Sequence, residues 1–402
     1  MARVAVREFT DLISAQGIEV EKRILPGIVI LLVVLLVSVL AAWTLQVAQR
    51  KPEQIVPETS ASIDAPLYEW KLVTTWPKGL PGLYSAPEKF AERVFAMSDG
   101  RLRIRVYGAG ELVPPFEVFT AVSQGAAQMG HGAAYYWKGK MPAAVFFTAI
   151  PFAMNAQEMN GWLHHGGGMA LWEKLYAPYG VIPFAGGSTG VQMAGWFNRE
   201  LRDRGDLDGL KMRIPGLAGE VFSGAGGTAV TIAGSEIYTS MQTGVIDAVE
   251  WVGPYNDRIL GLQEVGQYYY YPGWHEPGAM LEFTVNQAAF ESLPSDLQAI
   301  IKNATEAVSQ DTLDEFTAAN NESLRRIRAS GRNDIRQLPD DVLQALYDSS
   351  EVAIANLMAT DAAAREIGES YFQFFDDVRA YHEISERAYL NARDRVLPPI
   401  AE

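Results

Sequence analysis

The chain has 402 residues, 48% of them hydrophobic, with 48 acidic against 33 basic side chains and no cysteine. This length forms a large core or two lobes without crosslinks, and the lack of cysteine excludes disulfides, thiolate metal sites and thiol catalysis. The formal charge of −15 argues against nucleic acid as a partner, because phosphate binding needs clustered Lys and Arg, and any acidic ligand must be held by local charges.

In chain order, the N-terminus sets the compartment. Ile24 to Ala48 is almost free of polar residues and includes the run IVILLVVLLVSVLAAW. It is near the ~20 residues that span a bilayer and longer than a secretory h-region. Arg3, Arg7, Lys22 and Arg23 precede it, against Arg50 and Lys51 after it. That bias keeps residues 1–23 in the cytoplasm and sends the rest out. Cleavage signals at Val39-Leu40-Ala41 and Leu40-Ala41-Ala42 are weak, with bulky Trp43 behind them. Residues 24–48 therefore read as an uncleaved signal-anchor ahead of a cleaved signal, and residues 49–65, rich in Pro, Ser and Glu, as a linker.

YEWKLVTTW (Tyr68 to Trp76) alternates as a strand does and breaks at Pro77. The spacing of Phe90, Val94 and Met97 predicts a helix over Ser85 to Met97. RLRIRVYG (Arg101 to Gly108) alternates again, Pro114-Pro115 opens a helix through Gln124, and a small-residue segment follows from Met129 to Tyr135. This β-α-β-α order predicts an α/β fold with a largely parallel sheet. VIPFAGG (Val181 to Gly187), VQMAGWF (Val191 to Phe197), KMRIPG (Lys211 to Gly216) and VIDAVEWV (Val245 to Val252) repeat that grammar. A tyrosine-rich stretch, Tyr268 to Tyr271, leads to LEFTVN (Leu281 to Asn286), and from Leu293 the pattern is helical to the end, with breaks at Gly331 and Pro339. The whole suits two α/β lobes joined by crossing strands. Residues 66–187 form the first part of lobe I, 188–276 lobe II, 277–335 a return to lobe I, and 336–402 C-terminal helices packed outside.

Leu210 to Pro254 carries the most information. It places Arg213 inside LKMRIPG, and Glu250-Trp251 at the end of an apolar strand that follows an amphipathic helix from Glu236 to about Gly244. Charges rarely sit inside apolar strands unless paired, and at strand ends they commonly face the cleft where α/β sheets bind ligands. A guanidinium offers a planar fork to a carboxylate. An ion pair with Asp247 explains Arg213 equally well, and a solvated strand end explains Glu250.

Other signals fail on context. Gly224-x-Gly226-x-x-Ala229 follows a helix and precedes a strand, the reverse of a dinucleotide fingerprint. Gly186 to Gly190 lacks the Gly-Lys-Ser/Thr of a P-loop. His164-His165 reads as a helix end, Asp340-Asp341 and Asp376-Asp377 as solvated helical faces, and no GxSxG elbow or HExxH is present.

The segment EIYTSMQTGVIDAVEW, preceded by KMRIPG, resembles the solute-binding proteins of tripartite ATP-independent periplasmic (TRAP) transporters. Within them it is most similar to the branch that binds 2-oxo acids and related small carboxylates, over about Ala65 to Arg395. The resemblance implies a two-lobed, periplasmic-binding-protein-like fold in which Arg213 holds the substrate carboxylate. It further implies that Glu250 and Trp251, the latter by its backbone, hold a cation that in turn holds the substrate. Gln192, in GGSTGVQMAGWF, and Glu276, in PGWHEPGA, match further positions of that cluster. Hard cations prefer oxygen, so sodium or calcium suits these residues. Zinc does not, without a Cys or a spaced His pair. Tyr136 and Trp251 are the expected aromatic walls, with Trp76 a weaker candidate on the opposing lobe. Tyr135, Trp137, Trp196 and Trp274 flank the same motifs, where most aromatics are core.

The resemblance also implies a periplasmic location, TRAP permease subunits as partners and a homodimer through the C-terminal helices. A retained span at 24–48 departs from relatives that are released by signal cleavage. The expected function is capture of a 2-oxo acid such as pyruvate, or of lactate, and its delivery to a permease by hinge closure. The rival class is a secreted hydrolase or lyase acting on a carboxylate or sugar, with Glu250 and Glu276 as acid and base. An arginine and a cation between them suit binding better than proton transfer.

Overall fold

The computed structural model describes Val34 and residues 67–398. The cytoplasmic tail over 1–23, the span over 24–48 and the linker over 49–65 lie, Val34 apart, outside the described residues. Among the described residues, no helix is long and apolar enough to cross a membrane.

Strands β1 (Tyr68–Thr74), β2 (Leu102–Tyr107), β3 (Met129–Gly132), β4 (Val181–Ser188) and β10 (Met280–Asn286) form one sheet, in the order β2-β1-β3-β10-β4. Strands β5 (Gly195–Phe197), β6 (Lys211–Arg213), β7 (Thr228–Val230), β8 (Ala248–Val249), β9 (Tyr268–Tyr271) and β11 (Asp334–Gln337) form the second, in the order β11-β9-β5-β8-β6-β7. The helices in chain order are α1 (Ser85–Met97), α2 (Val118–Ser123), α3 (Ala156–His165), α4 (Gly168–Tyr176), α5 (Gly216–Gly224), α6 (Ile237–Gln242), α7 (Pro254–Ile259), α8 (Leu262–Val265) and α9 (Gln287–Glu291). Four long ones close the chain: α10 (Ser295–Ser330), α11 (Asp340–Thr360), α12 (Ala362–Ile384) and α13 (Glu386–Val396). This is the expected two-lobed α/β architecture.

Both faces of each sheet are buried, under helices whose apolar residues recur at helical spacing. Phe90 and Val94 of α1 meet Leu72, Leu102 and Phe283 of the first sheet, with Leu297 and Ile301 of α10 beside them. In the second lobe Met212 and Ala248 pack with Val221 and Phe222 of α5 and Leu346 of α11. Helix α10 packs on α1 and β4 of the first lobe and on α7 of the second.

The sheets are largely parallel, as expected, except for one reversed strand in each: β10 runs antiparallel to β3 and β4, and β5 antiparallel to β8 and β9. Both reversed strands follow a crossing between sheets: the chain leaves β4 for β5 and leaves β9 for β10, so each enters its new sheet against the local direction. One expectation needs correction: the C-terminal region is not helical throughout. Asp334–Gln337 is an edge strand that pairs in parallel with Tyr268–Tyr271. Its sequence DIRQ carries no apolar alternation, since its side chains are exposed or half-buried.

The two crossings run side by side. Residues 189–194 and 272–279 exchange backbone hydrogen bonds, with Gln192 N donating to Glu276 O at 3.2 Å, Gly273 N to Gln192 O at 3.0 Å and Thr189 N to Ala279 O at 3.1 Å. A side chain at Gly273 would place its Cβ 2.2 Å from Gln192 O, so this approach requires glycine. The VQMAGWF strand accordingly starts late, at Gly195: Met193 and Ala194 donate instead to Val252 O and Tyr270 O.

Candidate functional site

The crossings bring Gln192 and Glu276 to the line where the lobes meet, and strand ends from both sheets supply the rest. Arg213 ends β6, Glu250 and Trp251 follow β8, Trp76 lies just beyond β1, and Tyr135 and Tyr136 form the turn after β3. Trp76, Tyr135, Tyr136, Gln192, Arg213, Trp251 and Glu276 line one small cavity with apolar Leu83, Val252 and Leu281. Glu250 does not itself line it.

Arg213 is 1% exposed, as is Glu250, and the two form an ion pair. Nη1 also donates to the Glu250 backbone oxygen at 2.8 Å, Nε donates to Ile232 O at 3.3 Å, and Nη2 reaches the Tyr136 hydroxyl at 3.4 Å. The guanidinium lies 5.0 Å from the Trp251 ring centre, a cation–π contact. Burial alone would lower the Arg213 pKa, but Glu250, Tyr136, Tyr135 and Glu276 together outweigh it and the pKa is raised, so the cation is fixed. Asp247, the alternative partner considered for Arg213, instead accepts from the Lys211 backbone at 2.9 Å.

Glu276 is held by Gln192, whose Nε2 donates to Oε2 at 2.7 Å and to Thr189 Oγ1 at 3.1 Å. Burial, then the nearby charge of Glu250, pushes the Glu276 carboxyl well above its usual range. Burial raises the Tyr135 phenol well above its ordinary value, with Glu276 adding to it, and raises Tyr136 against the pull of Arg213. Both tyrosines are therefore neutral hydroxyls.

His275 completes the cluster and is absent from the sequence reading. Its Nε2 lies 3.2 Å from Glu250 Oε2 without hydrogen-bond alignment, and both its ring nitrogens are buried with no hydrogen-bond partner among the described residues. The signal pointing to it is adjacency to Glu276 in PGWHEPGA. Gln192 Oε1 is likewise buried and unpartnered. One atom each from Glu250, His275 and Glu276 lie within 4.8 Å of one another. Two carboxylates, an amide oxygen and an imidazole form a donor set that fits a hard cation with mainly oxygen ligands.

Three flanking aromatics stand elsewhere. Trp137 donates to Glu282 in the first-lobe core, Trp196 stacks on Tyr269 at 4.0 Å, and Trp274 stacks on Phe152 at 5.7 Å. His164 and His165 end α3, as the sequence suggests.

Residues 72–361 match the family model described as bacterial extracellular solute-binding protein, family 7 (DctP). The chain belongs to this family. It is similar to a monocarboxylate 2-oxoacid-binding periplasmic protein from Nostoc, with 41% identity over 83% of this chain and 91% of that one. It is also similar to the crystal structure of a TRAP periplasmic solute-binding protein from Colwellia psychrerythraea with bound calcium and pyruvate. That match has 40% identity and a TM-score of 0.79, covering 81% of this chain and 99% of that one. A counterpart from Pseudoalteromonas atlantica, with bound sodium and pyruvate, matches with the same identity, TM-score and coverage. This family 7 protein is thus a periplasmic TRAP transporter receptor and not an enzyme, which removes the hydrolase or lyase reading of Glu250 and Glu276.

Proposed function

We propose that this receptor captures a short 2-oxo acid, pyruvate or a close relative, together with one calcium or sodium ion, and presents it to TRAP permease subunits. The observation that carries the reading is the buried cluster of Arg213, Glu250, Glu276, Gln192 and His275 between the lobes. Without a cation, burial and Glu250 keep Glu276 protonated, and Arg213 balances Glu250. Ionising Glu276 to hold a cation leaves a net −1, and an incoming monocarboxylate makes it −2. A calcium ion would neutralise that set, and sodium would halve it. Burial makes such a balance energetically decisive.

In this reading Arg213 and the Tyr136 hydroxyl hold the ligand carboxylate. Glu250, Glu276, Gln192 Oε1, His275 and the Trp251 backbone hold the cation, which would supply positive charge to the carboxylate and 2-oxo oxygens. Trp76, Trp251 and Tyr135 exclude water from the ligand. Hinge closure of the lobes around it would give the permease a form to recognise.

Calorimetric titration of the purified full-length chain with pyruvate, 2-oxobutyrate and lactate tests this in calcium, in sodium, and in chelated buffer free of both. Micromolar binding that disappears without either cation is the expected result. Binding unchanged by cation removal, or heat from none of the three acids, overturns it.

Two finer points belong to the same reading. Residues 24–48 are proposed to anchor the receptor in the inner membrane, and an N-terminus after residue 40 by mass spectrometry removes that anchor. The C-terminal helices are proposed to pair two copies. In support, α13 has no buried residue, and Ile384 and Val396 are 79% and 78% exposed. Light scattering that gives a monomer at micromolar concentration removes the dimer.

A further inference from the structure

His131 stands on β3 and is completely buried, outside the donor cluster. An imidazole inside an apolar sheet costs free energy unless its nitrogens are paired, and here both are. Trp76 Nε1 donates to His131 Nδ1 at 2.8 Å, and His131 Nε2 lies 3.1 Å from Gly186 O. The indole is only a donor and the carbonyl only an acceptor, so the ring is neutral with its proton on Nε2. Burial drives its pKa down to about 4, against a smaller opposing effect of Gly186, which agrees with a neutral ring. The backbone of the same residue holds the Trp76 segment too, with Thr75 N donating to His131 O at 3.1 Å.

Trp76 has a specific position to keep. It lines the cavity, 6.1 Å from the Tyr136 ring and 6.3 Å from the Trp251 ring, edge-on to the latter. It is the first-lobe aromatic that meets Trp251 of the second lobe. Its single polar atom, Nε1, is bonded to His131 and does not offer itself to the ligand. The other end of the imidazole rests on β4, two residues before the chain crosses to the second sheet.

We infer that His131 is a positioning residue for ligand binding: it fixes the Trp76 indole as the first-lobe wall of the cavity and ties that wall to the strand leading into the crossing. The inference rests on the ligand reading proposed above. A histidine that only fills core volume would be replaceable by an apolar side chain of similar size without loss of ligand affinity.

The test uses the full-length chain, pyruvate with calcium, and the tryptophan indole N–H resonances, with the Trp76 signal assigned by its loss in Trp76→Phe. His131→Leu removes the acceptor. It is expected to shift the Trp76 indole signal and weaken pyruvate binding about three- to tenfold, the range of one lost hydrogen bond. His131→Asn, whose Oδ1 stands near the Nδ1 position, is expected to recover both. Trp76→Phe keeps an aromatic wall without the donor; it should show the same loss, and adding His131→Leu to it should cause none further. Unaltered indole signal or affinity in His131→Leu, with the wild type binding, overturns this inference alone. An additional loss in the Trp76→Phe background also overturns it. A wild-type chain that takes no pyruvate overturns the ligand reading and this inference with it.

Discussion

Arg213 and Glu250 are joined at three levels across adjacent parallel strands. Glu250 N donates to Arg213 O at 3.2 Å, Arg213 Nη1 donates to Glu250 O at 2.8 Å, and the side chains form an ion pair. The strand register therefore sets the side-chain geometry, and the cation is oriented before any ligand arrives. Preorganisation of this kind reduces the ordering cost of binding.

Arg213→Ala strands a buried carboxylate, which costs about 3–5 kcal/mol, and removes the ligand's partner. Both thermal midpoint and pyruvate affinity should fall. Arg213→Leu combined with Glu250→Leu should regain much of the midpoint and none of the affinity. Scanning calorimetry of the two proteins checks this, and a double variant as unstable as Arg213→Ala would show that charge imbalance is not the cause.

If His275 is a cation ligand, His275→Ala, which leaves no donor in its place, should weaken calcium binding about tenfold or more. A calcium titration against a competing chelator reads this directly. Unchanged calcium affinity takes His275 out of the donor set.

Stability should rise as pH falls from 8 to about 6.5. Glu282 accepts from Trp137 and from the Tyr176 hydroxyl at 2.8 Å, and burial raises its pKa from 4.5 to about 7. A carboxyl with a raised folded pKa contributes stability that is fully present below its unfolded pKa and lost as pH rises through the folded one. The full swing, on the order of 3 kcal/mol, is spread between pH values of about 7 and 4.5, so only a fraction of it falls above pH 6.5. His131 works the other way. With a folded pKa of about 4 against 6.5, it loses stability as pH falls from 6.5 towards 4, offsetting further gain. Chemical denaturation across pH 5–8 should show a slope above pH 6.5 that Glu282→Gln reduces, the remainder belonging to Glu276 with its likewise raised pKa.

Gly234→Ala should impair the site without touching a polar group. A Cβ there would lie 2.6 Å from Trp251 Cη2. Either the indole shifts or the backbone moves, at about 1–3 kcal/mol. Pyruvate affinity should drop roughly tenfold with cation affinity nearly unchanged. A loss of both in parallel would place the strain on the Glu250 backbone instead.

Local patterns made much of this protein legible. Ser85–Met97 is a helix with the bounds its apolar spacing predicts, and Arg213 is noticeable because a charge is improbable inside KMRIPG. Periodicity carries no information on strand direction, so the reversal of β5 and β10 is hidden in it. The edge strand Asp334–Gln337 is polar, so it lacks the alternation that marks buried strands. His131 acquires its role from Trp76, 55 residues away, and no spacing rule connects them. Trp137 and Trp196 show the opposite failing: they flank the informative motifs, yet they point into cores.

Helix α10 has 36 residues, about 54 Å at 1.5 Å per residue. Its N-terminal half packs in the first-lobe core through Leu297, Ile301 and Val308, while Phe316 and Ile327 join the cluster around Trp251. It is thus a lever shared by both lobes. A rotation of roughly 10° about its middle would displace its ends by roughly 5 Å, a distance that spin labels resolve. Because the chain has no native cysteine, labels placed at exposed Asn303 and Ser235 would carry no background. Motion at the cleft could then be read from its gearing rather than from the site itself.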